Sequence, residues 1–167
     1  MEGHRAMTAP WQRQGEKLAP AGIPSPVRRL SRLPRPDFAH RVWLSLEGWW
    51  AFAPDPKERG EEEGWWNPVS LRRDYAPWGR IRVPYPWPSP ASGIRDRGLE
   101  VGWYRRRVAL PPAWQHRRVK LCFGAVIETA RVWVNGTFLG EHRGGFSPFG
   151  FVLPEVAVRQ GELDIVV

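Results

Sequence analysis

The chain has 167 residues and carries 25 Lys and Arg against 17 Asp and Glu, a formal charge of +8. Its 18 Pro and 17 Gly exceed ordinary usage and exclude a protein built of long helices, while 42% hydrophobic residues suffice for one packed core. A single Cys and four His without metal-ligand spacing exclude a disulfide-stapled or zinc-built fold. We therefore expect a turn-rich, all-β domain with no cofactor and no metal.

Residues 1–36 are predicted to form a basic, Pro-rich tail before a folded domain at 37–167. Residues 1–41 hold eight basic and three acidic side chains, a net charge of +5, so the other 126 residues carry +3. With few large apolar residues, the tail cannot bury enough surface to offset its ordering entropy, and we expect it to be disordered or extended. Because the excess charge lies mainly there, and the domain has no recognition motif, nucleic acid is not an expected partner.

Apolar residues that alternate with period two predict short antiparallel strands from residue 42 onward. The first is predicted at 42–53 and precedes a long polar excursion at 54–79, whose acidic run we interpret as a solvated loop rather than a site. After a short strand at 80–83 comes PYPWPSP, whose prolines exclude a central strand. We expect this segment to be a sheet edge or a surface loop, which continues through ASGIRDRGLEVG to Trp103.

The C-terminal half has the clearest strand pattern. Strands are predicted at 103–110, 118–123, 129–134 and 161–167, and Cys122 is interpreted as an inert strand residue. The pair Asn135-Gly136 is typical of a two-residue type I′ hairpin turn, which leads into a further strand at 137–140. Seven or eight short strands and no helix favour a β-sandwich.

Five segments, in this order, resemble the N-terminal sugar-binding domain of glycoside hydrolase family 2, the family of β-galactosidases, β-glucuronidases and β-mannosidases. They are LSLEGWWAF at 44–52, IRVPYPWPSPASGI at 81–94, GWYRRRVALPPAW at 102–114, VWVNGTFLGEHRGGFSPFGF at 132–151 and PEVAVRQGELDIVV at 154–167. Trp65-Trp66 and the SGI segment look like the β-galactosidase and β-glucuronidase branch.

The resemblance implies a jelly-roll, galactose-binding-like β-sandwich that precedes an immunoglobulin-like domain and a (β/α)8 barrel in a complete enzyme. Family enzymes are retaining glycosidases with two catalytic glutamates in the barrel. No position here matches either glutamate motif, so no catalytic residue is assigned. We expect a non-catalytic sugar-binding domain of an enzyme acting on β-galactosides or β-glucuronides, truncated at its C-terminal end because the final strand stops in mid-pattern.

A stand-alone carbohydrate-binding or protein-interaction module remains the alternative interpretation. The expected partners are a β-glycoside and, where they are present, the downstream immunoglobulin-like and barrel domains of the same enzyme. No apolar run is long enough to span a bilayer or to form a signal peptide, which predicts a cytoplasmic protein without membrane contact.

The loop at 87–104 carries the candidate residues for a sugar pocket or for the interface with a barrel. Aromatic rings stack on the apolar faces of sugars, and planar polar side chains reach their hydroxyl groups. The candidates are Trp87, Arg95, Asp96, Arg97, Trp103 and Tyr104. For the tryptophans the favoured interpretation is packing, since Trp43, Trp50, Trp103 and Trp133 also fit core positions of a sandwich.

Overall fold

The computed structural model describes residues 42–69, 78–94 and 98–167, so the predicted tail at 1–36 lies outside the described residues. Those residues contain eight strands, one short helix and two single 3-10 turns at Pro90–Ser92 and Pro112–Trp114. The strands are β1 Gly48–Pro54, β2 Gly79–Val83, β3 Gly102–Ala109, β4 Lys120–Phe123, β5 Thr129–Val134, β6 Thr137–Arg143, β7 Phe149–Val152 and β8 Glu162–Val166. The helix is α1 Glu155–Gln160.

The strands form two antiparallel sheets. One has six strands in the order β2-β1-β3-β8-β5-β6, and the other pairs β4 with β7. Side chains of both sheets meet in one core, to which the large sheet gives Phe52, Ile81 and Ile165 and the small sheet gives Leu121. The all-β sandwich predicted from the sequence is therefore confirmed.

The predicted hairpin at Asn135-Gly136 is confirmed in detail. The two residues have φ values of 50° and 80°, and the flanking residues Val134 and Thr137 pair directly across β5 and β6. Both residues of a type I′ turn need positive φ, which Gly and Asn adopt at low cost, so the local sequence alone specifies this connection.

One predicted strand boundary and the prediction of no helix differ most from the structure. The first strand begins at Gly48 rather than at residue 42, and Leu44 and Leu46 pack against the core from an irregular stretch. The prediction of no helix is wrong for α1. This helix begins after Pro154 and ends at Gln160, and the next residue, Gly161, caps it in the left-handed conformation. Six residues are too few for a helical period to stand out from the alternation of neighbouring strands.

The central strands of the large sheet are buried on both faces. One face packs on β4 and β7. The opposite face carries a second apolar cluster, made of Ala53, Trp65, Trp103, Trp133 and Val166. Trp65 lies in the polar excursion between β1 and β2, so the described part of that excursion, residues 55–69, covers the middle of this outer face, whereas Trp49 and Phe138 on the same face remain about half exposed.

Candidate functional site

A buried ion pair attaches the 55–69 segment to the sheet. Arg105 on β3 is 2% exposed, and its guanidinium donates to both carboxylate oxygens of Asp164 on β8, at 2.9 and 2.5 Å. The same guanidinium donates to the backbone carbonyls of Trp65 and Asn67, at 3.2 and 3.1 Å. A buried charge needs such a complete set of partners, so Arg105 fixes the position of the segment relative to the sheet.

The start of the segment is held by a second buried carboxylate, Asp55. Its two oxygens accept hydrogen bonds from the backbone N–H groups of Arg59 and Gly60 and from the indole N–H of Trp103, at 3.0, 2.7 and 3.0 Å. A Cβ at Gly60 would lie 2.4 Å from the Trp103 ring nitrogen, so this position has room only for glycine. The tandem tryptophans are therefore carried on a loop with a defined conformation.

Trp87 and Tyr104, two of the six predicted site residues, lie together on the face that packs against the small sheet. Their rings are stacked 6.5 Å apart, and both contact Phe52 of β1, at 5.9 and 5.0 Å. Both side chains are half-buried. They pack against the main core and are only partly buried.

Trp103 lies on the opposite face of the same strand. It is buried, stacks on Trp133 at 5.4 Å and contacts Trp65 at 6.0 Å. The structure thus brings Trp87 and Tyr104 together and separates both from Trp103. The other three predicted residues, Arg95, Asp96 and Arg97, lie outside the described residues.

Burial raises the pKa of Tyr104 to about 12, from an ordinary value near 10. The folded chain therefore holds the phenol proton more tightly than the unfolded chain, and the associated stability is present below about pH 10 and is lost as the pH rises toward 12. We expect the phenolate absorbance of the wild type minus that of Tyr104→Phe to show a midpoint near pH 12. A difference curve centred near pH 10 would contradict the burial of this hydroxyl.

An open groove of about 310 Å³ lies between the 55–69 segment and the β5–β6 hairpin. Its lining combines three aromatic rings, a charged pair and a turn glycine: Trp66, Trp133, Phe138, Glu61, Arg131 and Gly136. Arg131 pairs with Glu61 across the groove and with Glu141 on β6, where the separation is 3.2 Å. The hydrogen bond and charge of Arg143, together with Arg131, hold the pKa of Glu141 below its usual value.

A β-bulge places Phe138 in this groove. The register pairs Val132 with Gly140 and then Trp133 with Phe138, and so skips Leu139. Leu139 packs against the main core, while Phe138 turns to the outer face beside Trp133, with ring centroids 5.2 Å apart. Bulges commonly re-aim a side chain in this way, and here the result is an aromatic ring that is 48% exposed.

The described residues hold no group of three or more His, Cys, Asp and Glu side chains arranged as metal ligands. Within the same ranges no helix is long and apolar enough to cross a bilayer. The groove combines aromatic rings with the charged pair Glu61 and Arg131, a composition that is common in ligand-binding sites.

Comparison with known protein families identifies the domain. The family model described as glycosyl hydrolases family 2, sugar binding domain, matches residues 43–167, which is most of the chain and includes every strand of the described residues. The chain belongs to this family. The resemblance drawn from the five sequence segments is confirmed, and so is the assignment of the chain to a sugar-binding domain of family 2.

Relatives of this family 2 domain are much longer proteins. The β-glucuronidase of Paenibacillus borealis is 35% identical over 141 residues, which cover 78% of this chain and 22% of that protein. Human β-glucuronidase is 39% identical over 120 residues, which cover 65% of this chain and 18% of that protein. The crystal structure of Ruminococcus gnavus β-glucuronidase matches with a TM-score of 0.59 and 26% sequence identity. The match covers 74% of this chain and 20% of that protein. The chain thus spans about a fifth of the length of these relatives.

Sequence reasoning missed the groove residues. Glu61 stands in the acidic run that we interpreted as solvated, and its side chain is indeed exposed, yet it pairs with Arg131 of β5. Phe138 is the second residue after the hairpin turn, and strict alternation of apolar residues there does not predict the bulge at Leu139. The one signal that was present is the tandem Trp65-Trp66, which is too apolar for a solvated loop.

Proposed function

We propose that this family 2 domain is the non-catalytic sugar-binding domain of a retaining glycosidase that hydrolyses β-glucuronides. The observation that carries this proposal is the continuous match over residues 43–167 to a domain that makes up about a fifth of the β-glucuronidases it resembles. Retaining glycosidases need two carboxyl groups about 5–5.5 Å apart across the scissile bond, and we assign that pair to a barrel of the same enzyme. The partners proposed are a β-glycoside and the immunoglobulin-like and barrel domains.

The role proposed for Trp87 and Tyr104 is to support the pocket or barrel interface from the beginning of β3, where Tyr104 lies. Their stacked rings are held by Phe52 and stay half-buried, as expected for aromatic residues at the margin of an interface. Arg95, Asp96 and Arg97 remain predicted contacts of the same loop, and the cytoplasmic location also remains a prediction from the sequence.

A hybrid enzyme tests the proposed function. Residues 43–167 would replace the matching segment of the Paenibacillus borealis β-glucuronidase, and hydrolysis of an aryl β-glucuronide would be measured. We expect the hybrid to be active, a version without any such domain to be inactive, and the 167-residue chain alone to show no turnover, because no position of its sequence matches either glutamate motif of the family.

A well-folded hybrid that hydrolyses neither β-glucuronides nor β-galactosides would overturn the proposal. The same result together with tight binding of a glycoside by the isolated chain would favour the stand-alone binding module. Turnover by the isolated chain that disappeared on replacing one of its own carboxylates would also contradict a non-catalytic role.

A further inference from the structure

We propose that the groove between the 55–69 segment and the β5–β6 hairpin binds one neutral pyranose ring of a glycan. This inference deepens the proposed function, since it gives the domain a carbohydrate contact of its own. The groove lies on the outer face of the large sheet, with Trp133, whereas Trp87 and Tyr104 lie on the inner face with Phe52. It is therefore a different surface from the loop predicted to face the sugar pocket.

The apolar side of the groove matches the C–H face of a sugar. Phe138 is about half exposed. Its ring packs on the buried indole of Trp133, with the ring centroids 5.2 Å apart. Trp66 forms the opposite wall, with its indole N–H held by the carbonyl of Glu61 at 3.2 Å, so the ring is fixed before a ligand arrives. Rigid aromatic rings of this kind lose little entropy on binding.

The polar side of the groove supplies planar groups suited to hydroxyls. Glu61 and Arg131 line it directly, and a carboxylate and a guanidinium together offer both acceptors and donors. Arg131 also lies over the Phe138 ring, 5.7 Å from its centroid, which brings a polar group close to the aromatic ring. A sugar ring combines the same two features, an apolar face and a rim of hydroxyls.

The charge balance favours a neutral sugar over a uronate. Arg131 pairs with two carboxylates, Glu61 and Glu141, and Glu141 also accepts a hydrogen bond from Arg143 at 2.7 Å. Two positive and two negative groups leave no net charge, and the carboxylate of Glu61 lines the groove itself. A ligand carboxylate would gain no net attraction there and would lose hydration.

The size of the groove limits the ligand to about one ring. Ligand pockets in proteins are typically about 300–1,000 Å³, and the groove, at about 310 Å³, is at the lower end of that range. It is also open to solvent along the exposed ring of Phe138. We therefore expect weak binding of a monosaccharide glycoside, with additional sugar units of a glycan projecting outward.

The test is a titration of the 167-residue chain with methyl β-galactopyranoside and, separately, with methyl β-glucuronide, followed by NMR. The variant is Phe138→Leu, which keeps an apolar side chain and removes the ring. We expect it to weaken binding of the galactoside roughly five-fold, the size expected from the loss of one aromatic contact. Phe138→Tyr, which keeps the ring, should bind as the wild type does.

Phe146→Leu is the matched control, because Phe146 is 98% exposed and lies outside the groove. Any of four results would overturn the proposal: no binding of the galactoside by the wild type, unchanged binding by Phe138→Leu, an equal loss in Phe146→Leu, or tighter binding of the glucuronide. An inactive hybrid enzyme would count against the proposed function alone, since the titration does not depend on hydrolysis.

Discussion

Replacing Arg105 with Met is expected to lower the free energy of unfolding by about 3–5 kcal/mol, the usual cost of removing one partner from a buried ion pair. Met has a similar unbranched shape, but it cannot donate to Asp164, whose side chain is 9% exposed. The carbonyls of Trp65 and Asn67 would lose their bonds to the guanidinium as well. Urea denaturation of the full chain, followed by tryptophan fluorescence, measures the change.

Arg159→Met provides the matched control for this measurement. Arg159 pairs with Glu155 on the surface of α1, and the two side chains are 62% and 76% exposed. Exposed pairs of this type contribute at most about 0.5 kcal/mol, so this variant should unfold almost as the wild type does. If the two Met variants unfolded at the same urea concentration, the Arg105–Asp164 pair would not be holding the 55–69 segment to the sheet.

The double variant Arg105→Met/Asp164→Leu separates the buried charge from the bonds to the loop. Removing both charges should recover part of the lost stability, because buried pairs replaced by apolar side chains are often close to neutral. Recovery should be incomplete, since the backbone carbonyls of Trp65 and Asn67 would still lose the hydrogen bonds that Arg105 donates. Full recovery would show that the bonds to Trp65 and Asn67 contribute nothing measurable.

Local signals in the sequence predict the sandwich well and its outer cover poorly. The hairpin at Asn135-Gly136 and the strands from residue 103 onward follow from turn chemistry and period-two alternation, both of which act over a few residues. Arg105 shows the opposite case. It stands among three consecutive arginines on β3, which suggests exposure, and its partner Asp164 lies 59 positions away. The burial of Arg105 is explained only by the tertiary pairing of β3 with β8.

In the candidate site too, the residue types were predictable from the sequence, whereas their positions in the fold were not. Aromatic residues in the 87–104 loop could be named from the sequence, but the sequence could not tell which face of β3 each would occupy. The structure places Trp103 and Tyr104 on opposite faces. The groove depends on the bulge at Leu139 and on the fold of the 55–69 segment, and each of these is set by packing between elements distant in the chain.

Trp103→Ala is expected to cost about 3–5 kcal/mol of unfolding free energy, the usual cost of truncating a buried tryptophan. The indole is 6% exposed, stacks on Trp133 and donates to Asp55, so its loss would leave both a cavity and a carboxylate short of one donor. Trp49→Ala is the matched control. Trp49 is 52% exposed and contacts Arg80 at 5.7 Å, an interaction that contributes no more than about 1 kcal/mol at the surface.

Trp103→Phe then separates packing from sugar contact. Phenylalanine keeps an aromatic ring in the cluster, and Asp55 keeps its bonds from the N–H groups of Arg59 and Gly60. This variant should therefore be more stable than Trp103→Ala and should bind a glycoside as the wild type does. If Trp103→Phe unfolded like the wild type and yet lost affinity for the glycoside, Trp103 would be a sugar contact, one of the candidates named from the 87–104 loop. The second apolar cluster would then have to open on binding to expose the indole.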